Sequence, residues 1–157
     1  MQKKRQLNVI MGKRRKGREL ALRCLYSLEM LPTGGVEERL ADIIREEGSE
    51  KTTQAFAGEL LSGVKENQDY FDLLISQYAT NWSLDRVAVI DRNILRLSLY
   101  EMLRKNKEIP PAVCIDEAVE LAKAYGSEDS YRFINGILNK VKEDLDSGKL
   151  DFPQKGP

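Results

Sequence analysis

Apolar residues recur three and four positions apart along almost the whole chain, and runs of proline and glycine interrupt the pattern at short intervals. That spacing places them on one face of successive α-helices and leaves no room for the alternation that a half-buried strand needs. The first stripe runs Leu20, Ala21, Cys24, Leu25, Leu28 and Leu31, and Pro32-Thr33-Gly34-Gly35 stops it. Val36, Leu40, Ile43 and Ile44 form a shorter one that ends near Gly48. Phe56, Leu60, Leu61, Val64, Phe71, Leu74, Ile75 and Tyr78 mark a long third helix, with Thr52 or Thr53 as its expected cap. Gly58 and Gly63 weaken that helix by about 1 kcal/mol each relative to alanine, which points to close helix approach there.

Ser83 is the expected cap of Leu84-Asp85-Arg86, and a stripe from Val87 to Leu103 follows. Val87-Ala88-Val89-Ile90 is too short and too embedded in helical spacing to be a strand, although Asp91 could recap the chain there. Pro110-Pro111 opens the next helix, and Gly126 is placed to close it in the left-handed conformation. The last stripe is Phe133, Ile134, Ile137, Leu138, Val141 and Leu145. Gly136 within it suggests a close helix crossing, while Asn135 beside it stays open as a ligand or loop contact. The expected fold is all-α, with about seven helices in two small three-helix bundles sharing a core. The expected organisation is a flexible basic arm over 1–16, a helical domain over 17–148 with subassemblies 18–80 and 81–148, and a frayed tail over 149–157.

Charge is unevenly spread. Residues 1–18 hold Lys3, Lys4, Arg5, Lys13, Arg14, Arg15, Lys16 and Arg18 and no acid, so in a chain that balances 25 cations with 25 acids the remainder carries −8. A basic arm on an acidic body usually meets a polyanion, and arginine forks match phosphate oxygens. Residues 1–10 read as an upstream extension, since Met11 opens a plausible start of its own. The arm has few insertable side chains, so no membrane association is expected. No helix-turn-helix pair with a basic second helix is apparent, which disfavours major-groove reading of DNA. Single-stranded RNA would use aromatic faces beside the basic patch, and Tyr26, Tyr125, Tyr131 and Phe133 are the candidates.

Enzymatic function is not expected. The chain has no histidine, which excludes histidine-dependent triads and histidine-containing zinc sites. Two cysteines, Cys24 and Cys114, sit in apolar helical patterns and read as buried hydrophobes. The adjacent acids Glu37/Glu38, Glu46/Glu47 and Glu128/Asp129 point away from each other on a helix and read as solvated surface. No glycine-rich phosphate loop occurs, and no cofactor or metal is expected. A soluble, cytoplasmic protein is expected, since no apolar run approaches the ~18 residues of a spanning helix and the basic start is not followed by a secretory apolar region.

Three blocks carry a resemblance. Arg14-Arg15-Lys16-Gly17-Arg18-Glu19 with Ala21 and Leu25-Tyr26 is the first. Ile90-Asp91-Arg92-Asn93-Ile94-Leu95-Arg96-Leu97 with Tyr100-Glu101 is the second. Ile115-Asp116-Glu117-Ala118-Val119-Glu120-Leu121-Ala122-Lys123, then Gly126 to Ser130 and Phe133-Ile134-Asn135-Gly136-Ile137-Leu138, is the third and most specific. Together, over about 13–142, they resemble the NusB family of transcription antitermination factors. The resemblance implies two three-helix bundles, binding to the single-stranded boxA element of ribosomal leader RNA, and a heterodimer with NusE, a small-subunit ribosomal protein. It further implies action on elongating RNA polymerase with NusA and NusG, without catalysis, and homodimers occur among such proteins. Certain RNA cytosine methyltransferases carry a similar domain, but 157 residues leave no room for the enzyme, so a standalone adaptor is expected. A general helical RNA-binding or assembly adaptor, or a homodimeric scaffold without boxA specificity, is the alternative.

By position, the resemblance gives Arg14, Arg15, Lys16 and Arg18, with Lys13 beside them, the role of an RNA-binding arm. It gives Asp129, Arg132 and Phe133 the role of a C-terminal RNA-contacting segment, and Tyr26 and Asp91 places at the NusE face. Lysines replace some of the family's arginines in the arm, which keeps the charge and loses the fork. Asp91 stands where some relatives have the longer glutamate.

Overall fold

The computed structural model describes residues 2–105 and 108–151. It has helices α1 (Gln2–Met30), α2 (Val36–Glu47), α3 (Lys51–Tyr78), α4 (Val89–Arg104), α5 (Pro111–Tyr125) and α6 (Ser130–Asp146), with a 3-10 turn over Leu84–Arg86 before α4. No strand occurs among the described residues. The expected tail lies mostly outside the described residues. Two compact units divide at Lys65–Glu66, inside α3, earlier than the expected division between subassemblies 18–80 and 81–148.

In the first unit, α1 crosses α3 at Gly17. A Cβ there would lie 3.3 Å from the Thr53 carbonyl oxygen and 3.5 Å from the Ala57 nitrogen, so the absence of a side chain is what lets the helices meet. Leu20, Ala21 and Cys24 of α1, Ile43 of α2, and Ala57, Leu60, Leu61 and Val64 of α3 are buried. Burial pushes the Cys24 thiol up to about 11, against a smaller pull downward from Arg39, so it stays protonated and inert at neutral pH. Arg39 of α2 closes the end of α1: Nη1 donates to Ser27 Oγ at 2.5 Å, and Nη2 donates to the carbonyls of Leu31 and Thr33, each at 2.8 Å. Both carbonyls lie just past the last residue of α1, so this one side chain ties down the turn that follows the helix. Gly48 then ends α2 at φ +69°, a conformation that favours glycine.

In the second unit, α4, α5 and α6 pack pairwise. Eleven of the sixteen residues of α4 are buried, so its polar groups need internal partners. Arg96 finds them in Asp72 of α3, through Nε at 2.7 Å and Nη2 at 2.9 Å, and in Asn93 Oδ1 at 3.0 Å. Ser98 donates back to the Ile94 carbonyl at 2.7 Å. Tyr78 of α3 donates to Asp144 Oδ2 of α6 at 2.6 Å. Burial and that carboxylate push its phenol up to about 12. Phe71, Ile94, Met102, Ala122, Ile134 and Leu138 fill the interior.

Several local expectations are corrected. α1 extends back to Gln2, over residues expected to be an irregular arm. Lysine, arginine, glutamine and leucine there are good helix formers, although burial on α1 begins only at Gly17. Leu31 lies past the point where α2 covers α1 and is 59% exposed. α3 starts at Lys51, so neither Thr52 nor Thr53 caps it, and Thr53 is buried instead. Ser83 makes no capping bond; its hydroxyl serves Asp85 and helps hold that carboxyl below its usual range. Asp91 does not restart a helix, since α4 runs unbroken from Val89.

The two C-terminal glycines both depart from their expected roles. Gly126 is extended at φ −90°, not left-handed. Its requirement is steric: a Cβ would lie 2.6 Å from Ser130 Cβ and 2.7 Å from the Ala122 carbonyl oxygen. Gly136 has nothing within 4 Å of the same position and faces solvent. Gly126→Ala should therefore cost about 1–3 kcal/mol in urea unfolding, while Gly136→Ala should gain about 0.5–1 kcal/mol. Amide exchange gives a second check. The turns of α1 before Gly17 bury no residue among those whose burial is described and are of a length at which an isolated helix is only marginal, so their amides should exchange orders of magnitude faster than those of Leu20 to Cys24.

Candidate nucleic-acid interface

Lys13, Arg14, Arg15 and Lys16 occupy consecutive positions of α1, so their side chains spread around the helix axis. Lys13 Nζ meets Glu50 Oε2 at 2.9 Å, and Lys16 Nζ meets Glu47 Oε2 at 3.6 Å. Glu47 also pairs with Arg23. Exposed pairs of this kind contribute about 0–1 kcal/mol each, so phosphates can displace them. Arg14 is half-buried and Arg15 exposed. Arg18 departs from its expected place among the RNA-contacting cations. It is 3% exposed, and its guanidinium lies 5.5 Å from the centre of the Phe56 ring. Its place is in the packing between α1 and α3, where the cation sits on an aromatic face.

The other candidate segment belongs to the second unit. Ser127, Glu128 and Asp129 form an exposed turn, and α6 begins at Ser130. Asp129 and Arg132 point to solvent, with Arg132 Nη1 4.0 Å from Asp129 Oδ1. Arg132 Nε donates to the Tyr131 hydroxyl at 3.0 Å, and its guanidinium lies 5.4 Å from that ring's centre. Lys123 of α5 lies 5.5 Å from the same centre. Tyr131 is thus flanked by two cations, and Lys123 is a member of this cluster that the sequence analysis did not single out as a site residue. Phe133 is half-buried, between the core and stacking roles open to it. Asn135 is exposed and accepts from Asn139 Nδ2 at 2.9 Å, an ordinary one-turn helix contact.

The two expected partner residues differ. Tyr26 is exposed, and Met30 one turn further on α1 is 55% exposed. With Leu31 they form an apolar strip that the sequence reading assigned partly to the core. Asp91 is 7% exposed and faces inward. Burial raises its carboxyl above the usual range, opposed by a hydrogen bond from Ser130. Its Oδ1 is buried without a hydrogen-bond partner. Among the described residues, no group of histidine, cysteine and acidic side chains could hold a metal ion, and no helix is long and apolar enough to cross a membrane.

The profile of the NusB family matches residues 15–143. The chain belongs to the NusB family. It is 43% identical to the transcription antitermination protein NusB of Sorangium cellulosum over 143 residues, covering 90% of this chain and 98% of the relative. It is 46% identical to that of Myxococcus xanthus over 135 residues, covering 83% and 95%. Among solved structures, a NusB from T. maritima aligns with a TM-score of 0.77 at 39% identity, over 87% of this chain and 97% of that one. A structure of the antitermination factors NusB and NusE in complex with dsRNA aligns with a TM-score of 0.76 at 25% identity, over 85% and 98%.

Arg18 and its neighbours can be told apart by stability. Arg18→Gln removes the contact with Phe56 and should cost about 1–2 kcal/mol in urea unfolding. Lys13→Gln, which breaks only an exposed pair, should stay within about 0.5 kcal/mol of wild type.

Proposed function

We propose that this protein is an RNA-binding transcription antitermination factor that binds the boxA element of ribosomal leader transcripts together with NusE. The basic run Lys13 to Lys16 carries this reading, because the acid partners of Lys13 and Lys16 are weak enough to exchange for phosphates. Lys13, Arg14, Arg15 and Lys16 would hold the backbone. In the second unit, Arg132 offers a further cation, Phe133 and Tyr131 offer stacking faces, and Asp129 accepts from a base amino group. The solved relative with NusE and RNA supports both partners. The apolar strip Tyr26, Met30 and Leu31 suits a protein partner; Asp91, facing inward, is given no contact with it. From the same reading, the complex acts on elongating RNA polymerase with NusA and NusG, and no reaction is catalysed.

Fluorescence anisotropy with labelled boxA RNA, a scrambled strand and an RNA duplex, each with and without NusE, tests the reading. Selective binding to boxA that tightens with NusE is expected. About four arm cations on phosphates should give a log–log salt slope near −3 for a single strand. Equal weak binding to all three RNAs, indifferent to NusE, would leave only a general polyanion binder.

A further inference from the structure

We propose that the first turns of α1, over residues 2–12, are a second phosphate-binding site, which takes the single-stranded RNA flanking boxA; this rests on the RNA-binding reading above. Lys3, Lys4 and Arg5 are exposed there, and no acid occurs among residues 1–18. α1 is continuous from Gln2 to Met30, so these cations share an axis with the run Lys13 to Lys16. Eleven residues of α-helix make about three full turns and leave a rotation of only ~20°. Lys4 therefore stands over Arg15 and Arg5 over Lys16, each pair on an exposed side of the helix, and Lys3 stands over Arg14. The members of each pair are about 16 Å apart along the axis, at ~1.5 Å per residue.

The two clusters differ in their counter-charge. Glu50 and Glu47 meet Lys13 and Lys16. Lys13 is the nearer of these to Arg5, about 12 Å away along the axis. That exceeds the ~8 Å over which physiological salt screens a charge. The upstream cations thus keep their field, while the downstream ones must first exchange an acid for a phosphate. Val9, Ile10 and Met11 are exposed between the clusters. Consecutive helix residues point ~100° apart, so these three form no single apolar face for a lipid surface. What the segment offers is charge in register with the arm. A stacked strand carries one phosphate per ~3.4 Å, so RNA seated on Lys13 to Lys16 reaches the upstream cluster after about five more nucleotides. Contacts of this kind hold the backbone and read no bases.

The full-length protein on bare boxA RNA, and on boxA with a run of uridines at each end, tests this. The wild type should bind the flanked RNA about tenfold more tightly. Its log–log salt slope should be near −5 there against about −3 on bare boxA, because about seven contacts replace four. Lys3→Gln, Lys4→Gln and Arg5→Gln together should remove that gain and leave bare boxA unchanged. Gly12 lies between the clusters, and a Cβ there would meet nothing within 4 Å. Gly12→Pro keeps every charge but breaks the helix, and should lose most of the gain. Gly12→Ala favours the helix and should tighten the flanked RNA alone, by up to about fivefold. Flanked RNA, but not bare boxA, should slow amide exchange at 2–12.

Equal affinity of the wild type for the two RNAs would overturn the proposal. So would an equal loss on both RNAs in the triple variant, which marks a diffuse field, or a Gly12→Pro protein that binds as the wild type does, which removes the register. Protection of 2–12 by phosphatidylserine vesicles and not by flanked RNA would give the segment to a lipid surface instead. If the wild type does not bind bare boxA, the RNA-binding reading falls separately. The flanked RNA then decides the second site: weaker binding by the triple variant upholds it, and no change ends it.

Discussion

Arg96 enters the interior of the second unit as a full charge, and much of that unit is arranged around meeting it. Asp72 supplies a two-point carboxylate and Asn93 a further oxygen. Removing one partner of such a pair typically costs about 3–5 kcal/mol, because it strands the other charge away from water. The same bond joins α3 to α4, so charge neutralisation and helix assembly are one event here. Asp91, earlier on α4, is also buried and is left with an oxygen unmet. Arg96 thus positions α4 against α3, while the leucines and isoleucines of α4 supply the burial.

The first unit buries Arg18 against Phe56 and pairs other α1 cations with acids nearer its surface. Glu47 and Glu50 stand against the cations of α1 at Lys16 and Lys13. Such acids weaken the field that a polyanion of any kind would feel.

Much of this was legible in the sequence. Helical spacing with proline and glycine breaks gives the class and most helix positions, because burial of one face imposes a period of 3.6 wherever a helix packs. Residue type misleads where it conflicts with that period. Arg18 stands three and four positions from the buried Ala21 and Leu22, and Asp91 three and four from the buried Ile94 and Leu95. Their spacing places them inside, while their charge suggests the surface. Leu31 fails in the opposite way, since a stripe cannot reveal where its covering helix ends. The glycines were misread because a gap for backbone conformation and a gap for a neighbour's atoms leave the same letter in the chain. Gly126 is the second kind and Gly136 neither.

The end of α1 carries a last consequence. One guanidinium, that of Arg39, holds three acceptors on the segment Ser27 to Thr33. Tyr26, Met30 and Leu31 therefore stand on a backbone that is already fixed before anything docks there. A partner meeting this strip gives up little disorder in the protein on binding, so more of the apolar contact is expressed as affinity. Lysine in place of Arg39 would keep the charge but could not span the same three oxygens with a planar fork, and the strip would lose its preorganisation while every residue of the contact surface stayed the same.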